Sequence, residues 1–344
     1  MFGAPRGCAV LDLWDCSCGL TIAKARATRY GPGRVGRNCV VEAVKKMPEL
    51  PEVEIVRRGL EPVLTSARFA HVEQRRANLR FDFPERFARR LSGQSVELLE
   101  RRAKYLVAHL SGGEVLLIHL GMTGRFTVHC KSRKDQLWGR PLGNFALTTA
   151  ASAKHDHIVF HMEHGAIVTY NDPRRFGFML LVPQAELSAH PLIRELGVEP
   201  LGPALTAEYL AQRSAGKAVD LKSFLADQRI VAGLGNIYVC EALFRAGLSP
   251  KRPAASLAKK SGMPTVRALE LVESVRAVLK ESIAAGGSSL RDYRHTDGAI
   301  GAFQESFAVY GRQGQPCVST GCQGNVRRIV QRGRSTFFCP KCQR

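Results

Sequence analysis

The sequence predicts an α+β multidomain chain with a strand-rich lobe, a helical lobe and a small cysteine-rich module. Three observations carry this. Between Met47 and about Leu181, short β-rich segments follow a single opening helix. From about Ala207 to Gly287 the apolar spacing changes to that of helices. Four of the ten cysteines crowd the last 28 residues. At 344 residues the chain has room for two domains plus a small module.

The first 46 residues stand apart, with eight Lys/Arg, three Asp/Glu, one Ser and no sustained period of either kind. The apolar stretch Val10 to Trp14 is interrupted by Asp12 and closed by Asp15, which makes a poor signal peptide. A lone serine likewise argues against a transit peptide. The expectation is that 1–46 is a disordered extension, or upstream sequence translated from a start codon placed too early, and that the ordered pattern begins at Met47.

From there the elements follow in order. Leu50 through Leu60 has a helical pattern with Pro51 near its start, where the missing N–H is tolerated. Tyr105–Leu110, Val115–Leu120, His157–Met162 and Ile167–Tyr170 read as strands, with His164-Gly165 turning the last two into a hairpin. So much strand with so few helices suggests a sandwich or a barrel. In the helical segment a shorter helix pair flanks Gly233-Leu234-Gly235-Asn236. Asn236 is placed to cap a helix over Ile237–Arg245 that stops at Gly247. Leu269, Val272, Leu279 and Ile283 fall near one face of a long helix ended by Gly286-Gly287. The domain boundaries expected are 47–181, 182–305 and 306–344.

Composition narrows the function. Fifty Lys+Arg against 30 Asp+Glu leave a net charge of +20, a field that attracts polyanions, of which nucleic acid is the commonest. No run of apolar residues is long enough for a membrane helix. The uneven cysteines do not resemble a secreted disulfide framework, so the cytoplasm is the default.

The strongest chemical signal is Cys317-x4-Cys322-x16-Cys339-x2-Cys342. Two thiolate pairs on turns joined by a β-hairpin supply the four tetrahedral sulfurs of a closed, structural zinc site. A module this small needs the metal to fold. Arg327, Arg328, Arg332 and Arg334 lie between the pairs and suit phosphate. The Gly233-x-Gly235-Asn236 turn, opening a helix, is a weaker candidate for a second phosphate clamp.

Met47-Pro48-Glu49-Leu50-Pro51-Glu52-Val53-Glu54 resembles the opening of formamidopyrimidine-DNA glycosylases. Further blocks match in order: Arg101 to Leu106, His119 to Gly124, Lys154 to His157, Asp172 to Gly177, Gly233 to Tyr238, Val309 to Arg312 and the terminal finger. The related endonuclease VIII branch, which prefers oxidised pyrimidines, opens Pro-Glu-Gly-Pro-Glu, and Leu50 in the third place favours the purine branch. The four residues between Cys317 and Cys322 make a longer knuckle than is common in the family, yet one that still lets both thiolates reach one metal.

The resemblance implies an N-terminal β-sandwich with flanking helices, a helix-two-turn-helix domain and a zinc-ribbon finger holding one Zn2+. It implies excision of oxidised purines from damaged double-stranded DNA by a bacterial cytoplasmic monomer. Pro48 would be the nucleophile, a secondary amine exposed after Met47 is removed, and Glu49 the acid/base that opens the sugar. Lys104 would serve β-elimination and Arg334 δ-elimination. Met122, Arg174 and Phe176 would fill the hole left by the extruded nucleotide, and His119, His155, Lys217 and Asn236 would contact DNA. The stretch Ser288 to Phe303 resembles the loop that closes on the flipped base. A zinc-ribbon DNA-binding protein without chemistry is the rival reading, and the retention of both Pro48 and Glu49 argues against it. Pro48 preceded by a peptide bond has a tertiary amide nitrogen, so the literal chain is expected to bind DNA without lyase activity.

Overall fold

Helix α1 (Leu50–Leu64) is the first element among the described residues and turns Val53, Val56, Leu60 and Val63 into the core. Strand β1 (Phe69–Gln74), the short α2 (Phe87–Leu91), β2 (Val96–Arg102), β3 (Tyr105–Leu110), β4 (Glu114–His119), β5 (Arg125–His129), β6 (Asp156–Met162), β7 (Ile167–Asn171) and β8 (Phe178–Pro183) complete the first lobe. The strands form two antiparallel four-stranded sheets, ordered β1-β6-β7-β5 and β2-β3-β4-β8. Phe126, Phe160 and Tyr170 of one sheet share a core with Leu106, Leu116 and Ile118 of the other, so the lobe is a β-sandwich. Strands β3 and β4 are buried on both faces, because Tyr105, Val107, Val115 and Leu117 meet Leu192, Ile193 and Leu196 on the outside. That explains their continuous apolar runs.

The structure is a computed structural model that describes residues 47–129, 153–288 and 303–344. The expectations for 1–46 and for the interior of the 288–303 stretch lie outside the described residues.

After a one-turn helix, α3 (Pro191–Arg194), the second lobe is helical: α4 (Ala207–Ser214), α5 (Leu221–Ala226), α6 (Asn236–Arg245) and α7 (Val266–Ala284). The long helix, its end and most of its face were legible, Leu269 excepted. Val272 and Leu279 are buried and Ile283 half-buried, in a stripe that also holds Ala268, Leu271, Val275 and Val278, whereas Leu269 is 51% exposed.

The hairpin β9 (Arg327–Gln331) and β10 (Arg334–Phe338) closes the chain. Val326 and Phe337 join the helical core through Tyr310 and Phe307, so the finger is built onto α6 rather than standing alone. No helix among the described residues is long and apolar enough to cross a membrane.

Candidate active site

The N-terminal segment is held by the turn between α5 and α6. Leu50 N donates to Gly233 O at 3.2 Å. The Glu49 carboxylate reaches the first turn of α6, accepting from Ile237 N at 3.0 Å and Tyr238 N at 3.4 Å. This corrects one expectation. Asn236 is not the cap of the helix; Gly235 occupies that position and Asn236 is the first helical residue. The Glu49 carboxylate is the protein's own anion at this helix N-terminus, on the N–H groups of Ile237 and Tyr238. Gly235 is required for the fit, since a Cβ there would collide with the Glu49 carboxylate. Gly233 has φ +86°, a conformation that favours glycine.

Glu49 is also the N-cap of α1. Its own N–H donates to Glu52 Oε2 at 2.9 Å, the return half of a capping box. The other Glu52 oxygen accepts from Tyr238 Oη at 2.6 Å and from Ser288 N and Oγ at 2.9 and 2.7 Å. Two carboxylates, both nearly sealed from solvent, therefore sit beside Pro48, which is itself buried.

Burial raises the Glu49 carboxyl to about 6, while Lys104 and the two α6 N–H groups pull it down. Lys104 is buried opposite, and burial lowers its pKa, against the pull of Glu49 and with a further push from Arg334. Lys104 leads out of the β2–β3 turn at Ala103, whose φ is +53°. Glu199 fixes that turn. Its Oε1 accepts from Ala103 N at 2.6 Å and Arg102 Nη1 at 2.9 Å, and its Oε2 from Arg101 Nη1 at 2.8 Å.

Arg334 begins β10 beyond the Arg332-Gly333 turn, exposed and close enough for its charge to act on Lys104. The four residues expected to carry the chemistry thus fall on three separate elements that meet at one place. Lys222 belongs there too and was not foreseen. It is 2% exposed on α5, its pKa lowered by burial, and within electrostatic reach of Cys240, Arg334 and Glu49. It shares the buried face of α5 with Leu221 and Phe224, and nothing in the sequence marks it.

His119, at the end of β4, stands near Lys104. Burial pushes its pKa down to about 3, with Lys104 and Arg80 adding to the shift, so the ring is neutral. Its Nδ1 accepts from Gly121 N at 3.0 Å, which leaves the proton on Nε2, and the ring stacks on Phe178. The loop that follows carries Met122, half-buried. Beside it the β7–β8 loop carries Arg174, whose guanidinium lies 4.5 Å over the ring of Phe176, itself 43% exposed. His155 is half-buried at the start of β6, and its carbonyl accepts from Asp172 N at 3.0 Å.

Asn236 ties α6 to the finger, its Nδ2 donating to Ser335 O at 2.7 Å. Lys217 is exposed in the α4–α5 loop and is not part of the hydrogen-bonded cluster around Glu49.

In the finger, the sulfurs of Cys317, Cys322, Cys339 and Cys342 all lie within 4.8 Å of one another, with 3.7 Å between Cys317 and Cys342 and 3.8 Å between Cys322 and Cys339. Tetrahedral thiolates at about 2.3 Å from a metal would be about 3.8 Å apart, so the set fits one ion. Ser319 N and Gly324 N point at the sulfurs of Cys317 and Cys322, the second layer such a site needs.

A family model described as the formamidopyrimidine-DNA glycosylase N-terminal domain matches residues 47–179, and one described as the formamidopyrimidine-DNA glycosylase H2TH domain matches 196–294. The class this scaffold and site define is therefore a DNA glycosylase. Formamidopyrimidine-DNA glycosylase of Chelativorans sp. (strain BNC1) is 57% identical over 302 residues, 87% of this chain and 100% of that one. The crystal structure of MutM (Fpg) from Thermus thermophilus aligns with a TM-score of 0.69 at 37% identity, over 86% of this chain and 98% of that one. Lactococcus lactis Fpg, in a complex with DNA containing an abasic site, aligns with a TM-score of 0.69 at 29% identity, over 86% of this chain and 100% of that one. The chain belongs to the formamidopyrimidine-DNA glycosylase family.

Proposed function

We infer that the protein is a base-excision-repair enzyme that removes oxidised purines from duplex DNA and then nicks the strand as a lyase. The observation that carries the chemistry is the buried Glu49 carboxyl beside Pro48, held on the α6 N-terminus and faced by Lys104. A secondary amine at Pro48 attacks C1′ of the damaged nucleotide as the glycosidic bond breaks. Glu49, with a pKa of about 6, is populated in both protonation states near neutrality. It donates a proton to open the sugar and takes one back later. The iminium that forms carries a fixed positive charge and acidifies the C2′ hydrogen. Lys104 then serves β-elimination and Arg334 δ-elimination, leaving a single-nucleotide gap with phosphate on both sides.

The amine must be free for any of this. We therefore propose that active protein begins at Pro48, by translation from Met47 and removal of the methionine. Met122, Arg174 and Phe176 occupy the space the extruded nucleotide leaves, with Arg174 facing the orphaned cytosine. His119, His155, Lys217 and Asn236 hold the DNA backbone. One Zn2+ in the four-thiolate site keeps the arginine hairpin rigid without entering the chemistry. The working unit is a monomer in the cytoplasm, bound to damaged double-stranded DNA.

The test is excision from duplexes carrying 8-oxoguanine opposite cytosine or thymine glycol, with borohydride present. Faster release of 8-oxoguanine and a covalent protein–DNA adduct are expected. Preference for thymine glycol would move the enzyme to the pyrimidine branch, and absence of any adduct would refute lyase chemistry through an amine.

A further inference from the structure

We propose that Asp172 is the positioning residue for the strand-opening step, setting Met122, Arg174 and Phe176 as one rigid unit. The inference rests on the reading of those three side chains as the ones that enter the base stack. They belong to two loops far apart in the sequence, β4–β5 and β7–β8, yet all three are secured through a single carboxylate.

Asp172 is fully buried. Its Oδ1 accepts from the hydroxyl of Thr123, the neighbour of Met122. Thr123 Oγ1 in turn accepts from Arg174 N at 3.2 Å. The other carboxylate oxygen, Oδ2, accepts from Gly177 N, next to Phe176, at 2.9 Å, and from Tyr170 Oη at 3.4 Å. The backbone of Asp172 is pinned as well: its carbonyl accepts from His157 Nε2 at 2.9 Å and from Arg175 N at 3.2 Å. The two loops also touch backbone to backbone, since a Cβ on Gly121 would run into Phe176 and Gly177. Neither loop can shift without the other.

Among the described residues no Lys or Arg pairs with Asp172, so its charge is held by hydrogen bonds alone. Breaking such a buried set is strongly disruptive, whereas a well-packed apolar group would serve mere stability as well. A rigid mount has a different use. Side chains that part stacked bases must resist unstacking worth a few kcal/mol per step, and a loose loop would yield instead of the DNA.

The experiment compares Asp172→Asn and Thr123→Val with wild type, all beginning at Pro48, on two substrates. One is a duplex with 8-oxoguanine opposite cytosine and 2-aminopurine beside the lesion. The other is single-stranded DNA with a preformed abasic site, which has no stack to open. Met122→Ala and Phe176→Ala serve as the direct wedge variants. The amide of Asp172→Asn turns a donor toward Thr123 or Gly177, and Thr123→Val removes the hydroxyl without touching the carboxylate.

Both variants are expected to lower kcat/KM on the duplex about tenfold or more and to suppress the 2-aminopurine rise, while single-strand cleavage stays within about twofold. Slow duplex excision by the wedge variants alone overturns the role of Asp172 and leaves the wedge reading standing. Equal losses on both substrates also overturn it, marking Asp172 as structural only. Normal duplex excision by all four variants removes the wedge reading and this proposal with it. Should Asp172→Asn not fold, Thr123→Val decides the matter.

Discussion

Glu49 Oε1 lies 3.0 Å from the backbone nitrogen of Ile237, a residue 188 positions further along the chain. The carboxylate next to Pro48, the proposed nucleophile, is thereby mounted on the N-terminus of a helix from the other lobe. The helix dipole favours the carboxylate and burial favours the acid, and burial prevails, leaving the group poised at about 6.

A pH dependence follows. The folded pKa of Glu49, about 6, lies above its ordinary value of 4.5. The folded state therefore binds the extra proton, and Glu49 makes stability fall as pH rises through 4.5 to 6. The full effect is about 2 kcal/mol, and Glu49→Gln removes it. In denaturant melts at pH 4.5 and at pH 7, the variant should gain on wild type by about that amount at the higher pH. Base release should also fall on the alkaline side of pH 6 in wild type; a flat profile would contradict Glu49 as the acid.

Gly235→Ala puts a methyl group where the Glu49 carboxylate sits. Stability should drop by about 1–3 kcal/mol through overpacking. Excision should fall about a hundredfold, because the acid must leave the α6 N-terminus. Metal content should be unchanged. Wild-type excision by this variant would mean that Glu49 does not work from the position described.

Cys339→Ser removes one of the four sulfurs that converge in the finger. The metal should be lost, as read by atomic absorption, and affinity for abasic-site DNA should fall with it. The affinity that remains should also depend less steeply on salt, since the Arg327–Arg334 hairpin no longer presents its charges together. Retention of one zinc per chain would refute the four-thiolate site.

Much of this was legible in the sequence, and the pattern of what was not is physical. The four strands named from sequence, β3, β4, β6 and β7, are the inner strands of the two sheets, where burial enforces apolar runs. The four that escaped, β1, β2, β5 and β8, are the edges. Three of them carry polar residues that blur the alternation, as in Phe69–Gln74 and Arg125–His129. Strand β8 is apolar and as long as β3 and β4, but it follows directly on the Asp172–Gly177 block with no separate turn to mark its start.

The site shows the same divide. Pro48, Glu49, Lys104 and Arg334 were reached through family motifs, not through periodicity. Asn236 fits a cap by position and type, and only the tertiary fold reveals that Gly235 holds that position while the Glu49 carboxylate takes the helix N–H groups. Lys222 was invisible because a lysine on a short helix ordinarily faces water; here it is buried with Leu221 and Phe224. The hydrogen bonds of Asp172 and Glu199 reach across 49 and 96 residues, beyond any local pattern.

The measurement that tests the central claim most directly is borohydride capture on 8-oxoguanine duplex, run on protein beginning at Met1 and on protein beginning at Met47 with the methionine removed. The adduct should form only in the second, and peptide mapping should place the cross-link on the nitrogen of Pro48. Equal capture by the Met1 form with its extension intact, or a cross-link on Lys104 or Lys222, would contradict the account.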